Sequence, residues 1–297
     1  MTARRLDGVA LGREIRAEVA VAVADLARTG LKPGLAVILV GEDPASQVYV
    51  RSKGRACEEA GMKSATIRLS PDVSEEELLA EVDKVNADPT LHGLLVQLPL
   101  PRQINAERVL RRIDPSKDVD GFHPVNVGKL VLGDRTGFRP ATPCGVQQML
   151  IRSGIETKGA RAVIVGRSTI VGRPMANLLI QDGPGGNATV TVCHSRSRDL
   201  PGITREADIL IVAIGKPRFV TADMVKAGVV VVDVGINRVE DPSAAKGYRL
   251  VGDVDFEPVA AKASAITPVP GGVGPMTIAM LLANTLQAVR QSSGTSG

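Results

Sequence analysis

A tyrosine and a lysine, Tyr49 and Lys53, stand four residues apart in the stretch SQVYVRSKGRACEEAG. Asp43 can cap a helix over this stretch, Pro44 suits its first position, and Gly61 can end it. At about 100° per residue, Lys53 then shares a face with apolar and hydroxyl-bearing residues, while the other charges lie on the opposite side. The remaining members of that face are Ser46, Val50, Ala56, Cys57 and Ala60.

Two interpretations of Lys53 follow from this placement. In the first, its stem packs on the core and its ammonium reaches solvent. In the second, Lys53 is partly desolvated and held by Tyr49, and its pKa is lowered toward use as an acid or base. The spacing alone leaves both open.

The composition is that of a soluble globular protein. The chain has 297 residues, enough for two domains, with 44% hydrophobic and 23% charged residues. Aromatic residues make up 2% and tryptophan is absent, which argues against a base-stacking surface for nucleic acid. The net charge of +4 is spread along the chain and suits an anionic small molecule or a phosphorylated cofactor.

Nothing in the sequence predicts secretion or a membrane. The first twenty residues carry charges throughout and lack the apolar core of a signal peptide. No apolar run approaches membrane-spanning length. Three widely spaced cysteines indicate free thiols in a reducing cytosol, so we expect a cytoplasmic protein. The polar, Gly/Ser-rich segment 291–297 is predicted to be a disordered tail.

Helices alternate with short apolar strands along the chain, which predicts an α/β fold with parallel sheets. The first half contains a helix from Val9 to Arg28, the strand LAVILV, the Lys53 helix, a helix opened by a Ser74/Glu77 capping box, and a strand in GLLVQLPLP. Residues 112–143 are rich in turn formers and are predicted to connect two domains. The second half contains four nearly continuous apolar strands, typical of a sheet covered on both faces: RAVIVG, ATVTVCHS, ADILIVAIG and GVVVVDVG.

The first of these four strands leads into a glycine turn and a helix, in AVIVGRSTIVGRPMANLL. Gly166 permits a sharp turn, Gly172 lets the helix approach, and the helix N-terminus can receive phosphate. Ser168 stands where the usual nucleotide-binding pattern has its second glycine, and the loop is one residue longer. The segment predicts a dinucleotide site, with a ligand-free tight turn as the alternative.

The end of the second strand indicates which nucleotide would bind. NAD-binding domains place an acid there for the ribose 2′-hydroxyl. In VCHSRSRD no acid comes before Asp199, whereas Ser195 and Arg196 offer a hydroxyl and a guanidinium, which suit a 2′-phosphate. Arg167 in the glycine loop could reach the same phosphate. We therefore expect NADP, with a solvated basic turn as the alternative. No cluster with metal-ligand spacing occurs, so no metal is predicted.

Five segments in order, YVRSK, VQLPLP, KDVDGF, VGRSTIVGRP and ITPVPGGVGPMT, resemble the bifunctional methylenetetrahydrofolate dehydrogenase/methenyltetrahydrofolate cyclohydrolase family in its stand-alone bacterial form. The resemblance covers residues 4–290. Ala141 stands where that family usually has cysteine, and Gln103 where histidine is common. A short-chain dehydrogenase is disfavoured, because in that family the Tyr-x-x-x-Lys pair follows the nucleotide-binding glycines.

The resemblance implies roles for particular residues. Lys53 resembles the catalytic lysine, Tyr49 the residue that positions it and stacks along the folate, and Gln97 the glutamine that hydrogen-bonds it. Asp120 resembles the carboxylate that holds the pterin, although a simple Asp-Gly turn is the alternative. Further substrate-binding residues are Ser46 and the loop residues Pro268, Pro270, Gly271 and Gly272, and the further cofactor residue is Ile236.

The resemblance also implies an architecture and an activity. A folate-binding catalytic domain would comprise residues 1–122 and 275–290, a Rossmann-like NADP-binding domain residues 143–270, and a cleft would lie between them. The enzyme would oxidise 5,10-methylenetetrahydrofolate with NADP and hydrolyse the product to 10-formyltetrahydrofolate. Homodimers and polyglutamylated tetrahydrofolate substrates are expected as well. The alternatives are a relative with one of the two activities, NAD-linked in one version, and a non-catalytic nucleotide-sensing Rossmann protein.

Overall fold

A computed structural model describes residues 3–244 and 247–294 as two compact units. We call the unit formed by Arg13–Ala141 and the residues from Ile278 onward the lysine unit. The glycine-turn unit comprises the residues up to Gly12 and Thr142–Thr277. The described residues contain no helix that is both long and apolar enough to span a membrane.

The first half of the chain contains four strands and five helices within the described residues. They are β1 (Arg4–Arg5), α1 (Gly8–Ala27), β2 (Gly34–Val40), α2 (Pro44–Glu59), β3 (Lys63–Leu69), α3 (Glu75–Ala87), β4 (Gly93–Val96), α4 (Ala106–Arg112) and α5 (Pro124–Leu132). The predicted capping box of α3 is present, with Ser74 and Glu77 bonded reciprocally. Helix α5 lies inside the segment predicted as a connection; it begins at Pro124 after the cap His123, and the left-handed Gly133 ends it.

The second half carries the larger sheet. Its elements are α6 (Ala141–Arg152), β5 (Arg161–Val165), α7 (Gly172–Ile180), β6 (Thr189–Cys193), α8 (Leu200–Arg205), β7 (Ile209–Val212), β8 (Val230–Asp233), β9 (Asn237–Glu240), β10 (Tyr248–Val251), α9 (Phe256–Ala260), β11 (Ala265–Ile266) and α10 (Val273–Ser292). The predicted disordered tail begins inside α10, and residues 295–297 of that tail lie outside the described residues.

The lysine unit is built on a three-stranded parallel sheet of order β3-β2-β4. Every residue of the central strand β2 and of β4 is buried, which explains their unbroken apolar sequences. Helices α3 and α4 supply Leu78, Val82 and Val109 to the core cluster that contains β2 and β4. Because the strands are parallel, β2 and β4 end at the same edge, and α2 and Gln97 follow that edge directly.

The glycine-turn unit contains a six-stranded parallel sheet of order β1-β11-β8-β7-β5-β6, and β9 and β10 form a separate antiparallel hairpin. The N-terminal strand belongs here because Arg4 and Arg5 pair with Ala265 and Ile266 of β11. The structure thus differs from the predicted boundaries, which place residues 1–12 with the first domain. A two-residue exposed strand carries no apolar pattern that could reveal its partner.

Strand β6 corrects the expectation that all four apolar strands are covered on both faces. It is the last strand of its sheet, and four of its five residues are exposed or only partly buried. Val192 is 41% exposed. Alternating threonines in TVTVC are the sequence feature that separates this edge strand from the fully buried β7.

A buried amide ties the final helix to the rest of the lysine unit. Asn284 of α10 donates from Nδ2 to the backbone oxygens of Val119, at 2.7 Å, and Arg139, at 2.9 Å. Asn284 is only 5% exposed. A single side chain therefore satisfies the carbonyl of the residue before Asp120 and that of Arg139, a residue that packs against Gly121.

We expect Asn284→Ala to lower the free energy of unfolding by about 2–3 kcal/mol, because two carbonyl oxygens lose their buried donor. Urea unfolding followed by circular dichroism measures the change. Gln291→Ala is the matched control: that amide also donates to a carbonyl, Thr136 O at 2.7 Å, but at an exposed position. Its effect should stay within about 0.5 kcal/mol. Equal effects of the two variants would contradict the anchoring role.

Candidate active site and nucleotide-binding edge

Helix α2 buries the face that carries Lys53. Asp43 caps the helix by accepting the N–H of Ser46 at 2.7 Å, with Pro44 at the first position, as predicted. Lys53 is 7% exposed, while Arg51 and the other charged residues of the helix lie exposed. The interpretation of Lys53 as a lysine reaching into solvent is therefore wrong, because its ammonium is removed from water.

The ammonium of Lys53 has a specific acceptor. Its Nζ donates to Oε1 of Gln97 at 3.1 Å. Gln97 directly follows β4, and its backbone N–H donates to Ile38 O at 2.9 Å while its Nε2 donates to Leu98 O at 2.7 Å. The bond to Leu98 O uses the amide nitrogen, so the amide oxygen faces the lysine. The backbone bond to β2 and the bond to Leu98 O thus fix the position and orientation of the Gln97 side chain.

Burial and charge act in opposite directions on Lys53 and Asp120. Burial lowers the pKa of Lys53 below its usual value of 10.5, and the charge of Asp120 opposes the change. Burial raises the pKa of Asp120 above 3.8, and the charge of Lys53 opposes that change. The Cys57 thiol has its pKa raised to about 12, mainly by burial, and stays neutral at physiological pH. Asp120 is therefore the counter-charge of Lys53.

A second aspartate holds the turn that carries Asp120. Asp118 is 1% exposed, and its carboxylate accepts the N–H of Phe122 at 3.2 Å, the N–H of His123 at 2.8 Å and Nδ2 of Asn126 at 2.8 Å. Burial raises the pKa of Asp118 to about 7; its hydrogen bonds oppose the rise and the charge of Asp120 adds to it. The carboxylate of Asp118 therefore holds the backbone that follows Asp120 in a turn.

Sequence reasoning missed Asp118. Both aspartates stand in KDVDGF, two residues apart, but their types do not reveal which one turns into the core. Gly121 is the other constraint on this turn: its φ is 73°, and a Cβ there would lie 2.7 Å from Pro140 N. The alternative of a simple Asp-Gly turn therefore describes the backbone correctly, and the carboxylate of Asp120 in addition interacts electrostatically with Lys53.

Tyr49 and Ser46 lie on the same helix face but make different contacts. Tyr49 is partly buried, and burial raises the pKa of its hydroxyl. Within the described residues no hydrogen bond joins Tyr49 to Lys53. Ser46 is 6% exposed and bonds to the capping residue Asp43. The structure thus brings together Lys53, Gln97 and Asp120, and the contacts of Tyr49 and Ser46 with a substrate stay predictions.

The predicted glycine turn of the other unit has the geometry that its glycines require. Gly166 follows β5 with φ 135°, and a Cβ there would lie 2.2 Å from Ala213 O. A Cβ on Gly172, the first residue of α7, would lie 2.1 Å from Gly166 O. Ser168 takes part in the turn itself, since its Oγ accepts the N–H of Val171 at 3.1 Å. Both glycines are needed for the chain to fold back this sharply.

The amides available to a phosphate lie before the helix. Ser168 accepts the N–H groups of Gly172, on Oγ at 3.4 Å, and Arg173, on its carbonyl at 3.0 Å, so the helix end is largely self-satisfied. In the described part of the chain, the N–H groups of residues 167–170 make no intramolecular hydrogen bond, and these residues are exposed. A loop of free amides ahead of a helix N-terminus fits a pyrophosphate.

The end of β6 presents the polar groups predicted for a 2′-phosphate. Ser195 and Arg196 are exposed, and the turn around them is closed by the bond from Arg196 N to His194 Nδ1 at 3.1 Å. Asp199, the first acid after the strand, accepts the N–H of Gly202 at 3.1 Å and thereby caps α8. Its carboxylate is occupied by the helix, which leaves the strand end basic.

Strand order brings the other predicted residues to this same edge. Ile236 follows β8 and is 44% exposed, and Pro268 to Gly272 follow β11. β5, β8 and β11 are parallel members of one sheet, so their carboxyl ends share an edge with the glycine turn. In this loop Pro268 and Gly272 are buried, and Pro270 is exposed. Gly271 has φ 101°. The described residues hold no group of three or more His, Cys, Asp or Glu that could bind a metal.

Family models match the chain in two parts. Residues 6–120 match the catalytic domain of tetrahydrofolate dehydrogenase/cyclohydrolase, and residues 140–293 match the NAD(P)-binding domain of the same enzymes. The chain belongs to the tetrahydrofolate dehydrogenase/cyclohydrolase family. The resemblance inferred from the five sequence segments is thereby confirmed.

Individual members of the tetrahydrofolate dehydrogenase/cyclohydrolase family align along nearly the whole chain. Bifunctional protein FolD 1 of Myxococcus xanthus is 59% identical over 290 residues, which is 98% of this chain and 99% of that protein. The crystal structure of the bifunctional FolD enzyme of Campylobacter jejuni is 51% identical, with a TM-score of 0.91 over 98% of this chain and 99% of that one. The Trypanosoma brucei enzyme, solved with NADP and an inhibitor, is 42% identical, with a TM-score of 0.93 over 99% of each chain.

We expect Asp120→Asn to lower the pKa of Lys53 further, because the main charge that stabilises the ammonium is lost. Carbon-13 NMR of the lysine Cε resonances, with Lys53 assigned by its loss in Lys53→Met, measures the pKa without any substrate. Asp114→Asn is the matched control: Asp114 is exposed and its charge acts on Lys117. It should lower the pKa of Lys117 and leave Lys53 unchanged. An unchanged pKa of Lys53 in Asp120→Asn would show that the two charges are uncoupled.

Proposed function

We propose that this chain is a bifunctional one-carbon enzyme that oxidises 5,10-methylenetetrahydrofolate to 5,10-methenyltetrahydrofolate with NADP and hydrolyses that product to 10-formyltetrahydrofolate. The buried Lys53, bonded to Gln97 and paired with the charge of Asp120, is the observation that carries the proposal. Family membership and the glycine turn support it, since the second unit presents a nucleotide-binding edge. The alternative of a non-catalytic nucleotide sensor does not account for the buried Lys53, because burying an ammonium costs free energy and nucleotide binding does not require it.

The hydrolysis depends on proton transfer. Water loses one proton as it adds to the methenyl carbon. The new hydroxyl then loses its proton as the formyl C=O forms, and a ring nitrogen takes up a proton as its bond to that carbon breaks, so that one proton is released overall. Lys53 is suited to move these protons, because burial has lowered its pKa toward the working range. Gln97 orients the amine by accepting a hydrogen bond from it, and the charge of Asp120 favours the protonated form of the lysine.

The oxidation depends mainly on orientation. NADP supplies the hydride acceptor when it is bound. The cation that remains on the folate is delocalised over two nitrogens, so the chain's task is to align the methylene carbon. We assign the pyrophosphate to the amides around Gly166, Arg167 and Ser168, and the 2′-phosphate to Ser195 and Arg196. Ile236 lies at the same sheet edge and is proposed to complete the cofactor site. The loop residues Pro268, Pro270, Gly271 and Gly272 at that edge are proposed to contact the folate substrate.

Asp120 is proposed to hold the pterin. An aminopyrimidine offers two parallel N–H donors, which match the two oxygens of one carboxylate. Asp118 and Gly121 fix the backbone on both sides of Asp120, which supports a directed role for its side chain. Tyr49, partly buried one turn before Lys53, is proposed to stack along the folate and Ser46 to line the same pocket.

Assembly and location are further parts of the proposal. A homodimer is supported by β6, the edge strand that exposes Val192 beside its open backbone side. The buried free thiols of Cys57, Cys144 and Cys193 fit a cytoplasmic enzyme. Polyglutamylated tetrahydrofolates remain the expected substrates, in line with the positive net charge of +4.

We expect Lys53→Met to abolish hydrolysis of methenyltetrahydrofolate, a loss of about 10²-fold or more, which is the low end of acid–base contributions. Methionine keeps the apolar stem and removes the titrating group. Dehydrogenase activity should fall less, because hydride transfer needs alignment more than protons. Spectroscopic assays of NADP reduction and of methenyl hydrolysis without NADP measure the two reactions.

Lys53→Arg separates proton transfer from charge. It should not restore hydrolysis, because guanidinium stays protonated at neutral pH. Arg51→Met is the matched control, since Arg51 lies exposed on the opposite face of α2, and both activities should persist in it. Near-wild-type hydrolysis in Lys53→Met would show that Lys53 has no role in the mechanism. A wild-type protein that catalyses only one of the two reactions would be a monofunctional relative.

We expect NADP to be preferred to NAD, and Arg196→Ala to weaken NADP binding by about 1–3 kcal/mol, the scale of a charge-assisted contact. NAD binding should change much less, because it lacks the 2′-phosphate. Arg205→Ala is the control, since its guanidinium donates to Asp223 O at 3.0 Å. Comparing kcat/KM for both cofactors measures the effect. Equal values for the two cofactors in the wild-type enzyme would overturn the assignment.

A further inference from the structure

Two aspartates of the glycine-turn unit are buried without any role in the scheme above. Asp233 ends β8 and is 3% exposed, and Asp253 follows β10 and is 0% exposed. In residues 3–244 and 247–294, every hydrogen-bond donor to their carboxylates is a neutral amide. Burying a carboxylate costs free energy that only well-placed donors offset, so the arrangement of these donors is informative.

Asp253 ties together two loops of the nucleotide-binding edge. Its Oδ2 accepts the N–H groups of Ile214 at 2.7 Å and Gly215 at 2.8 Å, just after β7. Its Oδ1 accepts Nδ2 of Asn237 at 2.8 Å, one residue beyond Ile236. One carboxylate therefore sets the spacing between the chain that leaves β7 and the chain that leaves β8.

Asp233 in turn holds the segment of Asp253. Its Oδ1 accepts the N–H groups of Gly235 at 2.9 Å and Asp253 at 3.0 Å, and its Oδ2 accepts that of Val254 at 2.9 Å. Burial raises the pKa of Asp233 to about 7, against these bonds, and the charge of Asp253 adds to the rise. A pKa raised by folding means that the fold loses stability as the pH rises through that value. Ionisation of Asp233 therefore lowers the stability of the unit.

The carboxylates also fill the space that side chains would occupy on the neighbouring glycines. A Cβ on Gly235 would lie 2.3 Å from Cγ of Asp253, and a Cβ on Gly252 would lie 1.8 Å from Oδ2 of Asp233. The loop after β8 and the segment that carries Asp253 therefore pack directly against these carboxylates.

The loop held by Asp253 is the one on which the glycine turn packs. Ala213, the residue before Ile214, donates its N–H to Val165 O at 2.8 Å, and its own oxygen lies where a Cβ of Gly166 would be. A change in the position of Ile214 is therefore passed directly to Gly166. In parallel α/β sheets this edge is where dinucleotides bind.

We propose that Asp253, held by Asp233, is a positioning residue for NADP: it sets the loops after β7 and β8 against the glycine turn so that the cofactor finds a preformed edge. This inference rests on the proposed function for its cofactor. It assigns Asp253 to the dehydrogenase reaction, because the residues proposed for proton transfer in the hydrolysis lie in the lysine unit.

Asp253→Asn tests the proposal. The amide keeps the shape but has one acceptor oxygen, so it can satisfy the backbone pair after β7 or Asn237, not both. The Kd for NADPH, from titration of NADPH fluorescence, and the KM for NADP should rise about tenfold or more, as expected for one lost charge-assisted bond. The KM for the folate, kcat at saturating NADP and methenyl hydrolysis without NADP should stay within about twofold, changes too small to indicate a lost bond.

Two further variants keep the test decisive. Asp208→Asn changes a carboxylate at the amino end of the same sheet, where it accepts Arg161 N at 2.8 Å and Lys226 Nζ at 2.6 Å, and it should leave the Kd for NADPH unchanged. Asn237→Ala removes one neutral partner of Asp253 and should raise that Kd by a smaller factor. It decides the question where Asp253→Asn does not fold.

Three results would overturn the proposal: a folded Asp253→Asn variant with wild-type NADPH affinity, an equal loss of both activities at unchanged NADPH affinity, or wild-type affinity in Asn237→Ala beside an unfolded Asp253→Asn. Failure of the proposed function would look different. A wild-type chain that binds NADPH but turns over neither folate would refute the enzyme, and the Kd values of the variants would still measure positioning by Asp253.

Discussion

The removal of one ammonium group from water is the constraint on which the lysine unit depends. A lysine buried to this extent needs a hydrogen-bond acceptor and a nearby charge of opposite sign, and the fold must place both. β4 provides the first, because Gln97 is bonded through its backbone to β2 and through its amide nitrogen to Leu98. The turn at Asp120 provides the second. Neither partner is close to Lys53 in sequence, so only the parallel sheet brings them together.

The glycine-turn unit solves a related problem with the opposite sign of charge. Its buried carboxylates have no cationic partner in the described part of the chain and are held by backbone amides of the loops that leave the sheet. Backbone amides that donate hydrogen bonds to a buried carboxylate stabilise its charge, and the same bonds fix the positions of those amides. Asp118 acts in the same way on the turn of Asp120. In both units, a buried aspartate therefore fixes a loop by accepting hydrogen bonds from its backbone amides.

Part of this arrangement could be predicted from sequence and part could not. The apolar face of α2 followed from periodicity, although the spacing left open whether the ammonium of Lys53 is buried. The glycine positions of the nucleotide turn followed from the strand–glycine–helix pattern, because both patterns depend on residues close together in the chain. The edge position of β6, the helix α5 and the pairing of β1 with β11 were missed, because they depend on which strand lies beside which. Asp118, Asp233 and Asp253 were missed for the same reason: a buried aspartate and a turn aspartate look alike until the donors are located.

The division of charged groups between the units bears on how two reactions can share one chain. Proton transfer requires a group whose pKa responds to its surroundings, and Lys53 is such a group because its acceptor is neutral and its counter-charge is itself partly desolvated. Hydride transfer requires no titrating residue, only fixed distances, and the glycine-turn unit contains rigid amides and close-packed glycines at its binding edge. A substitution that perturbs the electrostatics of Lys53 should therefore be felt first in hydrolysis. A substitution that loosens the loops after β7 and β8 should weaken cofactor binding first, because proton transfer and cofactor positioning depend on different residues in different units.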